Sequence, residues 1–167
     1  MVYIGANDGM LHAFNAATGA EAFAYVPSIV IEELSQLSLP TYEHQFYVDL
    51  TPAVNDVYSK VASGGDRGWN TVLVGGLRGG GRGYFALNVT DPSSFDTQAN
   101  AKANVLWEID NSDDSDIGYS FSVPSITMTN AENAEGEKRW VAIFGNGYNS
   151  TSSDGDATLF VVFIEEG

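Results

Sequence analysis

The sequence predicts an all-β fold, a partial β-propeller of about two and a half four-stranded antiparallel blades, on three observations. Apolar runs ending in glycine recur at a spacing of 70 residues: "MVYIGA" at Gly5, "TVLVGG" at Gly75 and "WVAIFG" at Gly145. Each is followed by a loop and a second apolar run, "LHAFNA", "YFALNV" and "TLFVVFI". The chain also carries 18 Gly, 8 Tyr and 9 Phe with few helical patterns, a composition suited to strands joined by tight turns.

Taken in order, the first unit opens with "VYIG", turns at Asp8-Gly9, a hairpin dipeptide, and returns through "LHAF" to an outer strand in "AFAYVP" (Ala22–Pro27). "PSIVIEELSQLSLP" (Pro27–Pro40) departs from the strand pattern. Ser28 is a candidate N-cap, Val30, Leu34 and Leu37 fall at i, i+4 and i+7, and Pro40 stops the run. One short helix is expected there, on the connection between the first two blades, capping a blade face. The second unit is complete from about Thr51 to Asp110: "TPAVNDVY", then "TVLVGG" introduced by Trp69, then "YFALNV" and "NVLWEID". "TVLVGG" is apolar on both faces, as a strand buried between two neighbouring blades must be.

The third unit repeats the pattern with "VPSITM", a strand introduced by Trp140, and "TLFVVFI", and has no closing strand. About ten strands result, in blade pieces spanning about 1–27, 51–110 and 122–167 of a single domain. Ten strands do not close such a ring, so the chain is expected to be a fragment of a larger propeller. Bare blade faces and strand edges would then invite self-association. A duplicated hairpin in an open β-sandwich is the competing architecture.

Charge narrows the partners. With 22 acidic and 7 basic residues the formal charge is −15, which repels nucleic acid and anionic lipid and attracts cations. No apolar run reaches the length of a membrane span, so no membrane insertion is expected, and no export signal is visible at the N-terminus. The absence of cysteine excludes thiolate metal sites, cysteine nucleophiles and disulfides.

Candidate sites are few. "GRGYFA" (Gly81–Ala86) formally matches a dinucleotide G-x-G-x-x-A, but it opens a strand, so a phosphate would meet no helix N-terminus. A Walker lysine is missing, and RGG segments of RNA-binding proteins belong to basic, disordered chains. "GGLRGGGRG" therefore reads as a flexible loop whose glycines supply positive φ. "DNSDDSD" places Asp110, Asp113, Asp114 and Asp116 together, and their mutual repulsion makes them calcium candidates. The run fails the EF-hand pattern, with Ser112, Ser115 and Phe121 at positions three, six and twelve. "NGYNSTSSDGDA" offers Asp154 and Asp156 as a second oxygen-rich loop. His12 and His44, the only histidines, lack metal-motif neighbours, and no nucleophile elbow or other catalytic constellation is present.

"VYIGANDGMLHAFNAATGAEAF" resembles the pyrroloquinoline-quinone propeller repeat, shared by dehydrogenases and by non-enzymatic scaffolds. The longer order "HQFYVDLTPAVNDVY", "VLVGGLRGGGRGYFALNVTDP", "VLWEID", "IGYSFSVPSI" and "WVAIFGNGYNS" is similar to the C-terminal propeller of the PilC/PilY family, tip-associated proteins of type IV pili, over nearly the whole chain. That resemblance implies an exported protein of the outer membrane, cell surface or pilus tip. It would be a non-catalytic binding and scaffold module supporting pilus assembly, surface attachment and twitching motility. Its expected partners are proteins, among them minor pilins, and host or abiotic surface ligands. Some family members carry a regulatory calcium loop, which would lie beyond "TLFVVFI". The alternatives are a calcium-dependent quinoprotein dehydrogenase propeller and a periplasmic assembly scaffold.

Overall fold

The computed structural model describes residues 1–60, 67–152 and 155–165. Ten strands form three antiparallel sheets among these residues. The first sheet contains β1 (Val2–Gly5), β2 (Leu11–Phe14) and β3 (Glu21–Tyr25) in that order. The second contains β4 (Ala53–Ser59), β5 (Gly68–Gly76), β6 (Gly83–Asn88) and β7 (Val105–Asp110). The third contains β8 (Ser125–Glu132), β9 (Lys138–Gly145) and β10 (Leu159–Phe163). Each strand pairs with the next in sequence, so each sheet is a meander and the predicted strand allotment holds.

Local chemistry sets the turns. Gly9, with φ of 91°, follows Asp8, whose carboxylate accepts the Met10 amide at 3.0 Å and closes the β1–β2 hairpin. Asn15 accepts the amides of Ala17 (2.9 Å) and Thr18 (3.2 Å), and Gly19 takes φ of 72° to return the chain into β3.

The middle blade is buried on both faces by strict alternation along its central strands. On one face Leu73, Phe85 and Leu87 join Leu11, Ala13 and Phe23 of the first blade in one apolar cluster. On the other, Val72, Val74, Tyr84 and Ala86 join Ile126, Ala142 and Phe144 of the third. Tyr84 stacks on Phe144 with centroids 3.9 Å apart, and Phe144 on Phe160 at 5.7 Å. Polar ties cross the same boundaries. The Asn55 amide donates to the Ile126 carbonyl at 3.0 Å, and Arg67 bridges Glu165 (2.9 Å) and Glu137 (3.1 Å). Glu108 of β7 accepts the Tyr25 hydroxyl together with the Ser28 amide and hydroxyl, joining the first two blades. Burial first, and then the Glu108 carboxylate, push the Tyr25 phenol up beyond its ordinary range.

Helical structure differs from expectation in two places. The connection after β3 is helical, but it winds as two 3-10 stretches, Ser28–Val30 and Glu33–Ser38, rather than an α-helix. Ser28 makes no cap, because its side chain is committed to Glu108. Val30 is buried and Leu34 lies on Gly9, so the stretch does pack onto a blade, whereas Leu37 faces solvent. The short α-helix is α1 (Gln98–Ala103), capped by the Thr97 hydroxyl and carried on the β6–β7 connection.

Two outcomes test this packing. Gly75 lies under Phe85, and an added Cβ would sit 2.3 Å from its ring, whereas a Cβ at Gly145, the same repeat position, meets nothing closer than 3.9 Å. Gly75→Ala is expected to destabilise by about 1–3 kcal/mol and Gly145→Ala by under ~0.5 kcal/mol, read from urea midpoints. The second outcome concerns His12, 16% exposed, which contacts Glu21 at 2.6 Å and Asp8 at 2.9 Å. The Glu21 hydrogen bond raises its pKa, with burial opposing and Asp8 adding to the rise. Its stabilisation is therefore full below the ordinary histidine value of ~6.5 and lost as pH rises through the raised folded-state value. The urea midpoint should fall across that window, and His12→Gln should flatten the slope.

Candidate functional site

Antiparallel connectivity brings five connections to one end of the three blades, with described residues 6–10, 26–52, 77–82, 111–124, and 146–152 with 155–158. The interior of this end is built by two close approaches. The first is a clasp between "IGYS" and "NGYN". Gly118 donates to the Asn146 carbonyl and Tyr119 to the Tyr148 carbonyl, both at 2.8 Å. A Cβ at Gly118 would lie 2.3 Å from the Tyr148 oxygen, and one at Gly147, with φ of 75°, 1.9 Å from the Tyr119 oxygen. Only glycine lets these backbones meet.

The second is the "GGLRGGGRG" loop, which corrects the sequence reading of it. None of its glycines lies in the left-handed region, Gly81 being extended at φ 166°; Arg78 alone does, at 51°, within a 3-10 turn. The glycines serve close approach instead: a Cβ at Gly80 would lie 2.0 Å from the Tyr47 carbonyl oxygen, and one at Gly83 2.7 Å from Ile29. Ser120, fully buried, accepts the Leu77 and Arg78 amides at 3.0 Å each and donates to the Gly81 carbonyl at 3.3 Å. One hydroxyl thus holds three points of the turn, and the loop is a fixed platform.

Aromatic and cationic groups decorate that platform. The Arg78 guanidinium lies 5.1 Å from the Phe121 ring centroid and that of Arg82 lies 5.2 Å from Tyr119. Tyr148 packs against both Tyr119 (5.4 Å) and Phe121 (5.3 Å) while remaining 60% exposed. Phe46 is exposed against Gly79. A cleft of about 460 Å³ opens beside it, walled by Phe46, Gln45, Glu33, Arg82, Asn111 and Tyr119 among others. None of these was assigned a role from sequence. Their only signal was arginine inside an acidic chain, next to glycine and aromatic residues.

The acidic run lies at the edge of the same end. Asp110 accepts the Ser112 amide at 2.6 Å, Asp113 the Asp110 amide at 2.9 Å, and Asp114 the Asp116 amide at 3.0 Å. Asp116 accepts the Thr158 hydroxyl at 3.1 Å, and the Ser115 carbonyl accepts the Thr151 and Ser152 amides. The run thereby folds into self-capped turns and docks on Thr151, Ser152 and Thr158. Among the described residues no three His, Cys, Asp or Glu side chains gather as a group that could hold a metal ion. Asp156 lends its backbone carbonyl to the Asn146 amide at 3.1 Å, and Asp154 lies outside the described residues. His44 meets Asn7 at 3.2 Å, and His12 sits apart from it in the Asp8–Glu21 pair. Among the described residues no helix is long and apolar enough to cross a membrane.

Comparison with known proteins gives a consistent answer. The family model described as the PilY1 beta-propeller domain matches residues 1–167. A type IV pilus biogenesis factor PilY1 homolog of Xylella fastidiosa is 45% identical over 166 residues, covering 99% of this chain and 10% of that protein. The type IV pilus biogenesis factor PilY1 of Pseudomonas aeruginosa is 41% identical over 169 residues, covering 99% of this chain and 13% of that protein. The chain thus spans only about a tenth of the length of these relatives. Among solved structures, the Pseudomonas aeruginosa PilY1 C-terminal domain superposes with a TM-score of 0.67 and 40% identity, over 99% of this chain and 28% of that one. Matched from end to end in sequence and fold, the chain belongs to the PilY1 β-propeller domain family of type IV pilus biogenesis factors.

Proposed function

We propose that this chain is a non-catalytic binding and scaffold module of an exported, pilus-associated protein, acting at the cell surface or pilus tip. In this reading it supports pilus assembly, attachment and twitching motility through contacts with proteins of the pilus machinery and with surface ligands. The observation that carries it is the loop-rich end, where exposed Phe46, Phe121 and Tyr148 and two ring-stacked arginines stand on a hydrogen-bonded platform. Aromatic and arginine side chains held on a rigid base are what protein interfaces use as anchors. The reading also draws on the names of the homologues, which are pilus biogenesis factors.

In the full-length parent protein, Arg78→Ala combined with Phe121→Ala is expected to weaken partner binding roughly tenfold and to reduce surface pili and twitching, at unchanged protein abundance. Wild-type piliation and twitching would overturn the assignment of this end. A dye-linked alcohol oxidation assay with quinone and calcium is expected to show no turnover, and robust turnover would favour the dehydrogenase reading.

Calcium is tested separately. Because Asp110, Asp113, Asp114 and Asp116 each give one carboxylate oxygen to a local donor and no three such side chains gather as a group among the described residues, calorimetric titration of the metal-stripped chain should be flat to about 1 mM calcium. Saturable heat that disappears in Asp113→Asn would place a cation in the run.

A further inference from the structure

Arg82 differs from Arg67, Arg78 and Lys138. Arg67 holds Glu137 and Glu165, Arg78 holds Asp49 at 3.3 Å, and Lys138 holds Glu132 at 2.7 Å. Arg82 has neither an ion pair nor a side-chain hydrogen bond among the described residues, and its Nε is buried without a partner. In a chain with 22 acidic residues, an unpaired guanidinium is not a consequence of scarce carboxylates. Its position is fixed by packing: the head lies over Tyr119, the backbone carbonyl accepts the Asn111 amide at 3.3 Å, the Gly81 carbonyl accepts the Ser120 hydroxyl, and Gly83 lies against Ile29. The charge is therefore preorganised on the wall of the 460 Å³ cleft rather than tethered to an internal acid.

We propose that this cleft captures one carboxylate carried by a protein segment, with Arg82 as the charged anchor, the Gln45 and Asn111 amides as orienting groups, and Phe46 and Tyr119 as walls for a neighbouring aromatic or apolar residue. The assignment rests on reading the loop-rich end as the interaction surface and names the chemistry it selects. A guanidinium presents paired donors to a carboxylate, and the interaction strengthens where a ring shields it from water. The net charge of −15 repels an acidic stretch as a whole, so the site favours a single carboxylate in an otherwise neutral segment. Glu33, on the same cleft, opposes the ligand and makes a second lever. The carboxylate belongs either to a C-terminus or to an acidic side chain.

The test is a titration of the isotope-labelled chain followed by NMR, with three probes. N-acetyl-phenylalanine offers a terminal carboxylate, N-acetyl-phenylalanyl-aspartic acid α-amide a side-chain carboxylate, and N-acetyl-phenylalanine amide none. Saturable shifts at the Tyr119 ring and the Gly79–Gly81 amides, with a Kd on the order of millimolar, are expected for a carboxylate probe and not for the neutral one. Whichever carboxylate probe binds more tightly identifies the source. Arg82→Gln should weaken binding about tenfold, and Glu33→Gln should tighten it about threefold. Shifts that the neutral probe reproduces, no shifts from either carboxylate, or a folded Arg82→Gln chain that binds unchanged would each overturn the proposal. If Arg82→Gln fails to fold, Glu33→Gln decides, and unchanged or weaker binding in it overturns the proposal. The readout is local to the cleft, so it can fail while the pilus phenotype of the Arg78–Phe121 variant holds, and the reverse.

Discussion

The packing of aromatic rings over glycine in the middle blade is the constraint on which the rest of the molecule depends. Gly75 pairs directly with Phe85, and Gly76 with Tyr84, across the β5–β6 ladder. The Phe85 ring leaves no room for a methyl group at Gly75, and at Gly76 Leu50 and the Tyr84 ring together close the space. Because adjacent residues of a strand point to opposite faces, Phe85 is delivered to the first blade and Tyr84 to the third. The two large rings can lie flat only because the facing positions are empty. Ring burial of this size dominates core energetics, and here one dipeptide pair serves both inter-blade contacts.

The same β5–β6 connection then carries the loop end. Having left β5 at Gly76, the chain is caught within a few residues by Ser120, crosses the Tyr47 backbone at Gly80, and re-enters the sheet at Gly83. Ser120 is itself placed by the Gly118–Tyr119 clasp on the third blade's Gly147–Tyr148. The arginine and aromatic groups at the surface are thus borne by segments whose backbone hydrogen bonds are made internally. A surface of this kind loses little conformational freedom when a partner arrives, which favours binding.

Electrostatics supply contrast across the molecule. Part of the acidic excess sits in turns, where carboxylates cap nearby backbone amides, as Asp91, Asp110, Asp113 and Asp114 do. Asp91 is held below its usual range first by the Ser93 hydroxyl and then by the Ser93 amide. Against that background the arginines of the loop end stand out as the cationic part of an aromatic surface.

How much of this the sequence determined follows from the range of each interaction. The 70-residue spacing, the alternation within each run and the turn dipeptides are local or periodic, so three sheets and ten strands, middle blade complete, were legible from residue order. The helical character of 28–38 was legible too, but not its winding, because Ser28 exchanged a cap for a partner 80 residues away. The Thr97 cap of α1 was available in the sequence and went unread. Most of the candidate site was not legible. Glycines at 80, 81 and 83 suggest freedom of φ when taken alone, and only the Tyr47 carbonyl, Leu77 and Ile29 reveal that they make space. The acidic run shows in sequence only as a cluster of carboxylates, and the turn amides that three of them accept appear only in the fold; Arg82 gains significance only through the acids that do not reach it. Period and pattern are properties of the chain in order and fix the blades. Close approach and unpaired charge are properties of distant segments brought together, and the tertiary structure alone decides them.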